Sequence, residues 1–461
     1  MEKTTRIEPR YGLFTAISMV IGQVIGSGIF FKVDDVLSVT QGQVLPGLIG
    51  FIIVGVSVVF ASIAMSNYAQ IIPNKSGIIS YVEYRFGHYA SAMVGWIYLS
   101  LFYPLLTAVL FSVAGIYIAN LIGELTGFDP TFTHYSSIAV ASSLLFLILN
   151  IFSPKKSGIF QQLTTVLKLL PLIFIASLGI FTLFNEVGIQ NSPAIARVFS
   201  FSGEENFLLL LAASFIPIAF AFDGWYIATQ ISSEVKNAKK NLPRALVIGT
   251  TIVLTVYVCY YLGITSRMDA LKIIALEDNY IREFARSITQ NSGALVIQLF
   301  IIISVLGTAN GLLLATLRVP YQFYQLKSSR KFFHLGKINP RTQMPLNSAI
   351  LAYLLIIFYL FLFYLTSTHP FFTSKKFDIS AIPIAFIYIV NGALFIGLFP
   401  LIRKKIIPNN TIRHYLITFL ALFGILVVLL GTMISNNGMF YVLVSIAYML
   451  VGTFFIKRLN K

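Results

Sequence analysis

The chain has 461 residues, of which 57% are hydrophobic and only 11% charged, whereas a soluble protein of this size would carry about 25% charged residues. Together with a mean hydropathy of +0.83, this argues against a soluble globular protein and for a polytopic membrane protein. The formal charge of +16 does not imply a nucleic-acid partner, because its placement follows membrane topology.

Twelve apolar segments are expected, at about 11–38, 44–69, 88–122, 135–152, 158–184, 207–232, 243–265, 293–318, 346–366, 379–401, 412–434 and 438–457. The first contains Val20-Ile21-Gly22-Gln23-Val24-Ile25-Gly26-Ser27-Gly28-Ile29-Phe30-Phe31. Glycine costs about 1 kcal/mol relative to alanine in a helix interior, so Gly26-Ser27-Gly28 is a place for the helix to unwind. Irregular backbone at membrane depth persists only where protein covers it or a cavity lies beside it. The amides freed there would attract a carboxylate. A Gly-Ser packing notch between helices is the plainer alternative.

The fifth segment carries Lys168 in Leu167-Lys168-Leu169, about ten residues deep. A fixed ammonium at that depth can occupy the place of a bound Na⁺ and take a coupling or gating role. It can equally be structural, pairing Asp223 or capping carbonyls of the first segment. The sixth segment reads Phe220-Ala221-Phe222-Asp223-Gly224-Trp225. A charge such as Asp223 near the midplane costs about 2.5–3.5 kcal/mol on insertion scales, so it should face protein or water. Gly224 can release the helix there, and the freed carbonyls would accept from an ammonium group. Amides on one side and carbonyls on the other suit a zwitterionic α-amino acid. Asp223 can alternatively cap the second half of the helix, and Phe222 is placed to close over a substrate. In the eighth segment Ser304, Thr308 and Asn310 give one partly polar side, able to meet Lys168 or to form ordinary interhelical hydrogen bonds.

Segments one and six would begin two five-helix repeats, and an odd number of spans per repeat inverts one against the other. The long amphipathic connections 71–87 and 265–291 fall at matching places, one inside and one outside. Matched broken helices in inverted halves point to a midplane transport site. The division is thus 1–10 as a cytoplasmic N-terminus, 11–184 and 207–401 as the repeats, and 402–461 as two further helices. Loops assigned to the cytoplasm hold 24 of the 33 lysines and arginines and outer loops hold 8, Lys32 among them, with Lys168 within a span. The positive-inside rule then puts both termini in the cytoplasm.

Enzymatic chemistry finds no support. The five histidines lie in loops or at segment ends, and no metal-ligand spacing, nucleophile constellation or phosphate-binding loop is present. Cys259, the single cysteine, lies in an apolar segment, so neither a disulfide within the chain nor a disulfide-linked partner subunit is expected. No metal, cofactor or ATP site is implied.

Four ordered motifs carry a family resemblance. Gly22-Gln23-Val24-Ile25-Gly26-Ser27-Gly28-Ile29-Phe30 closely resembles the first-helix motif of the amino acid–polyamine–organocation (APC) superfamily. Phe220-Ala221-Phe222-Asp223-Gly224-Trp225, the loop 234–245 and Gly307-Thr308-Ala309-Asn310-Gly311 with Arg318 resemble its L-type branch, which includes bacterial serine/threonine exchangers. The resemblance implies an all-helical, twelve-span fold with a five-plus-five inverted repeat, alternating access and sodium-independent amino acid transport, often by exchange. It implies carboxylate binding at the amides near Gly26, Ser27 and Gly28, and α-amino binding at carbonyls of Val24, Phe220 and Asp223, beside Ala221, Phe222 and Gly224. It also implies that Lys168 replaces a sodium site and links helices one and eight through Gly22 and Ser304. Gln23 departs from the pattern, standing where a smaller residue, often threonine, is usual, and Asn74-Lys75-Ser76-Gly77 interrupts a usual Gly-Gly.

The expected protein is a plasma-membrane secondary transporter of neutral L-amino acids that works without an obligatory partner subunit. A cationic amino acid or polyamine carrier, or a non-transporting amino acid sensor, are the alternatives.

Overall fold

The computed structural model describes residues 12–72, 77–152, 160, 163–186, 193–201, 206–326, 333–339, 342, 344–374, 377–407, 411–434 and 437–459. The N-terminal stretch 1–10 and Asn74, Lys75 and Ser76 lie outside them. The described residues form helices without strands. Eleven helices are long and apolar enough to cross a membrane: Leu13–Phe30, Val44–Ile71, His88–Thr126, Phe132–Phe152, Leu163–Asn185, Phe207–Thr229, Ala238–Arg267, Leu295–Tyr324, Leu346–Thr368, Ala381–Arg403 and Thr411–Ile434. The twelfth, Gly438–Leu459, has a shorter apolar stretch, Gly438–Phe454.

The packing follows from lipid as solvent. On the eleventh span Phe419, Phe423, Leu426 and Leu430 are exposed at helical spacing, while Ala421, Ile425 and Val428 are buried. One stripe thus faces acyl chains and the other faces protein. Polar groups turn inward and find partners, as in the hydroxyl pair Ser62–Thr250 at 3.1 Å between the second and seventh spans.

Both interruptions are real, and they differ. The first span runs as Leu13–Val24, breaks at Ile25 and Gly26, and resumes as Ser27–Phe31 and Val33–Val39. Ile25 is extended, with φ −74° and ψ 96°. The sixth span ends at Ala221, and Gly224 then takes φ +97°, a left-handed conformation that side chains with a Cβ rarely adopt. The chain continues as a 3₁₀-helix, Trp225–Glu234, rather than the α-helical second half expected.

The connections also differ from expectation in one respect. The inner one holds the helix Gly77–Phe86, and the outer one holds Ala270–Leu276. The rest of the outer stretch belongs to the eighth helix, which starts at Tyr280 and runs to Thr316.

Candidate functional site

The two breaks touch. A Cβ built on Gly28 would lie 2.8 Å from the Cα of Ala221, so only glycine lets these backbones approach so closely. On Gly224 a Cβ would lie 3.2 Å from the carbonyl oxygen of Gln23. A cavity with about 50 Å³ of water-accessible space sits at this junction, bordered by Gln23, Val24, Gly26, Gly28, Phe220, Asp223, Gly224 and Thr308. Leu106, Leu110, Ile227 and Leu312 complete its wall. A single water needs about 10–15 Å³ of such space, so the cavity suits a small polar molecule.

The first break is braced by charge. Lys168 is fully buried, and its ammonium donates to the carbonyls of Gly22 and Ile25, both at 2.6 Å, and to Thr308 Oγ1 at 2.9 Å. These three acceptors use all three of its protons. Lysine therefore caps carbonyls orphaned by the break and ties the fifth span to the first and eighth. The hydroxyl partner is Thr308 rather than Ser304, whose Oγ is buried with no hydrogen-bond partner among the described residues. Thr308 Oγ1 in turn lies 3.2 Å from the carbonyls of Ile25 and Ser304. Asn310 is engaged elsewhere, accepting from Asn150 Nδ2 at 2.9 Å.

The two breaks share one further donor that the sequence did not single out. The Tyr257 hydroxyl, on the seventh span, lies 2.9 Å from the carbonyl of Val24 and 3.1 Å from that of Ala221. One proton thus serves a freed carbonyl on each side of the junction. A carbonyl oxygen has two lone pairs, so Val24 retains capacity for a second donor. Nothing in the run Tyr257-Val258-Cys259-Tyr260-Tyr261 distinguishes the first tyrosine from its neighbours.

At the sixth break, Asp223 Oδ1 accepts from the Tyr226 hydroxyl at 2.9 Å, one turn along the chain. It is not the partner of Lys168, whose donors go to the first and eighth spans. Phe222 is turned away from the cavity: its ring packs on Tyr257 at 5.0 Å and Phe51 at 6.4 Å between centroids. The expected closing aromatic is therefore corrected to Phe220, which borders the cavity. Ala221 contributes backbone only, through its contact with Gly28 and its carbonyl. The backbone of Ser27 opens the second half-helix, and its side chain lies outside the described residues.

Above Phe220 sits Lys32, assigned to an outer loop but 2% exposed. Its ammonium lies 5.0 Å from the Phe220 ring centroid and pairs with Asp35 at 2.8 Å and Asp378 at 2.7 Å. Asp378 Oδ1 also accepts from the amide and hydroxyl of Ser380, at the start of the tenth span. The signal was present in sequence, as Lys32, Asp34 and Asp35 crowd the end of an apolar segment.

Comparison with known proteins agrees with this architecture. A model of the amino acid permease family matches residues 11–456. The serine/threonine exchanger SteT of Bacillus subtilis (strain 168) is 26% identical over 339 residues, 74% of this chain and 73% of that one. The human b(0,+)-type amino acid transporter 1 is 25% identical over 67% of this chain and 61% of its own length, and the human large neutral amino acids transporter small subunit 2 is 28% identical over 58% and 49%. The chain thus spans less than two thirds of these mammalian relatives. Among solved structures, MhsT in complex with L-phenylalanine superimposes with a TM-score of 0.63 at 16% identity, over 92% of this chain and 99% of that one, which establishes the shared fold. With broken first and sixth helices meeting at a cavity and a family match across nearly its whole length, the chain belongs to the amino acid permease family of the APC superfamily and is a multi-pass membrane transporter of amino acids, not an enzyme.

Proposed function

We propose that this permease carries neutral L-amino acids across the plasma membrane by sodium-independent exchange, with both termini cytoplasmic. The observation that carries the reading is the buried ammonium of Lys168 on the carbonyls of Gly22 and Ile25. Carbonyl and hydroxyl oxygens are what a hard metal cation takes as ligands. A covalently attached cation already satisfies them here, and it would repel Na⁺ at the same place.

In this reading the carboxylate meets the amides of Gly26, Ser27 and Gly28, and the α-amino group meets carbonyls of Val24, Phe220 and Asp223, with Val24 shared with Tyr257. Phe220, held beneath Lys32, closes the outer side. The wall of Leu106, Leu110, Ile227 and Leu312 favours an uncharged side chain. The bias of basic residues toward one set of loops supports the orientation. The only cysteine lies within the seventh span, which supports action without a disulfide-linked partner.

Counterflow in proteoliposomes tests the proposal. Labelled alanine or serine should accumulate only when unlabelled neutral amino acid is trapped inside, equally with Na⁺ or choline outside. Strict sodium dependence would refute the role of Lys168. Exchange of arginine or putrescine in place of alanine would favour the cationic carrier, for which Asp223 would be the charge at the cavity. Absence of any amino acid uptake by folded protein would favour a sensor.

A further inference from the structure

Gln23 is polar, borders the cavity and is not used by the mechanism above. It sits one residue before Val24 in the last turn of the first half-helix, and its side-chain oxygen Oε1 is buried without a hydrogen-bond partner among the described residues. Leaving such an acceptor unmet costs about 1–3 kcal/mol. The other side chains on this wall, Leu106, Leu110, Ile227 and Leu312, offer no donor. Thr308, the remaining hydroxyl at the cavity, is committed to Lys168 and to backbone carbonyls.

We propose that Gln23 sets side-chain specificity by hydrogen-bonding a hydroxyl on the substrate, so that the permease prefers serine and threonine over apolar amino acids of the same shape. The inference rests on the transport reading above and deepens it. A hydroxyl is the fitting group because it both donates and accepts, and so meets the carboxamide whichever of its two ends faces the substrate. The small cavity restricts the choice to short side chains. A pocket built to bond a hydroxyl discriminates against the analogue lacking it, because binding that analogue leaves the protein group unpaired.

Threonine and valine differ only by a hydroxyl in place of a methyl, which makes them the discriminating pair. In proteoliposomes loaded with alanine, external threonine should inhibit labelled-alanine exchange at about a tenfold lower concentration than valine. In Gln23→Met, which keeps length and removes the polar end, that ratio should fall to near one. The ratio within each protein is the readout, whatever the absolute rate, and Gln23→Leu replaces the first variant if it does not purify as a monodisperse protein. Equal inhibition by threonine and valine in the wild type overturns the inference, even with alanine exchange intact. Retention of the tenfold ratio in the variants removes Gln23 as its cause. Failure of the folded wild type to exchange alanine or any other amino acid is a different result, and it refutes the transport reading together with this one.

Discussion

The two helix breaks solve one problem with different chemistry. In the first span the freed carbonyls of Gly22, Val24 and Ile25 are met by side chains from three other spans, Lys168, Thr308 and Tyr257. In the sixth span the chain relies on local devices: a left-handed glycine at 224, a 3₁₀ continuation and the Asp223–Tyr226 contact, with Tyr257 the one donor from another span. The first break is thus fixed by its neighbours and the sixth largely by its own sequence. An element held locally can change shape without dismantling the bundle, so the sixth break is the expected moving side and the first the reference frame. Both face the same small cavity, and Gly28 against Ala221 is where they meet.

Substitutions can sharpen or break this contrast. The largest effect is expected from Lys168→Ala. It removes charged hydrogen bonds to two carbonyls and a hydroxyl, each of a kind worth about 1.5–3 kcal/mol. Exchange should fall at least tenfold in counterflow assays, and the purified protein should melt at a lower temperature. Unchanged exchange would mean that the first break does not need its brace. Next comes Gly28→Leu, whose side chain has no room against the Ala221 backbone. Amino acid binding should be lost while membrane insertion persists, and normal binding would place the substrate elsewhere. Tyr257→Phe should have the smallest effect, about a fivefold to tenfold loss of apparent affinity, since it removes one shared neutral donor worth roughly 1 kcal/mol. A loss as large as that of Lys168→Ala would show that the sixth break depends on its neighbours after all.

The features that were legible in sequence are those that are expensive in lipid. Glycines at 26, 28 and 224 weaken a helix, and Lys168 and Asp223 are charges at depth, so each stands out in an apolar chain. Their placement at one junction followed from the matched interruptions. The choice between Ser304 and Thr308 was not legible, because they sit one turn apart on one helix face and only the height of the lysine decides. Phe220 and Phe222 were exchanged for a related reason. The side-chain directions of a helix shift where it unwinds, and the 3₁₀ continuation after Gly224 was not foreseen. Tyr257 went unnoticed because 41 phenylalanines and 23 tyrosines give no contrast to any single ring. Lys32 was read as a loop residue on hydropathy alone, although carboxylates from two parts of the chain bury it.

The central claim is that the junction of the two breaks grips both ends of a zwitterion, and the most direct test is displacement of labelled alanine from purified permease by analogues lacking one end. Alanine methyl ester, without the carboxylate, and lactate, with a hydroxyl in place of the amine, should each compete at least tenfold more weakly than alanine. Competition by either analogue as strong as that of alanine itself would contradict the account.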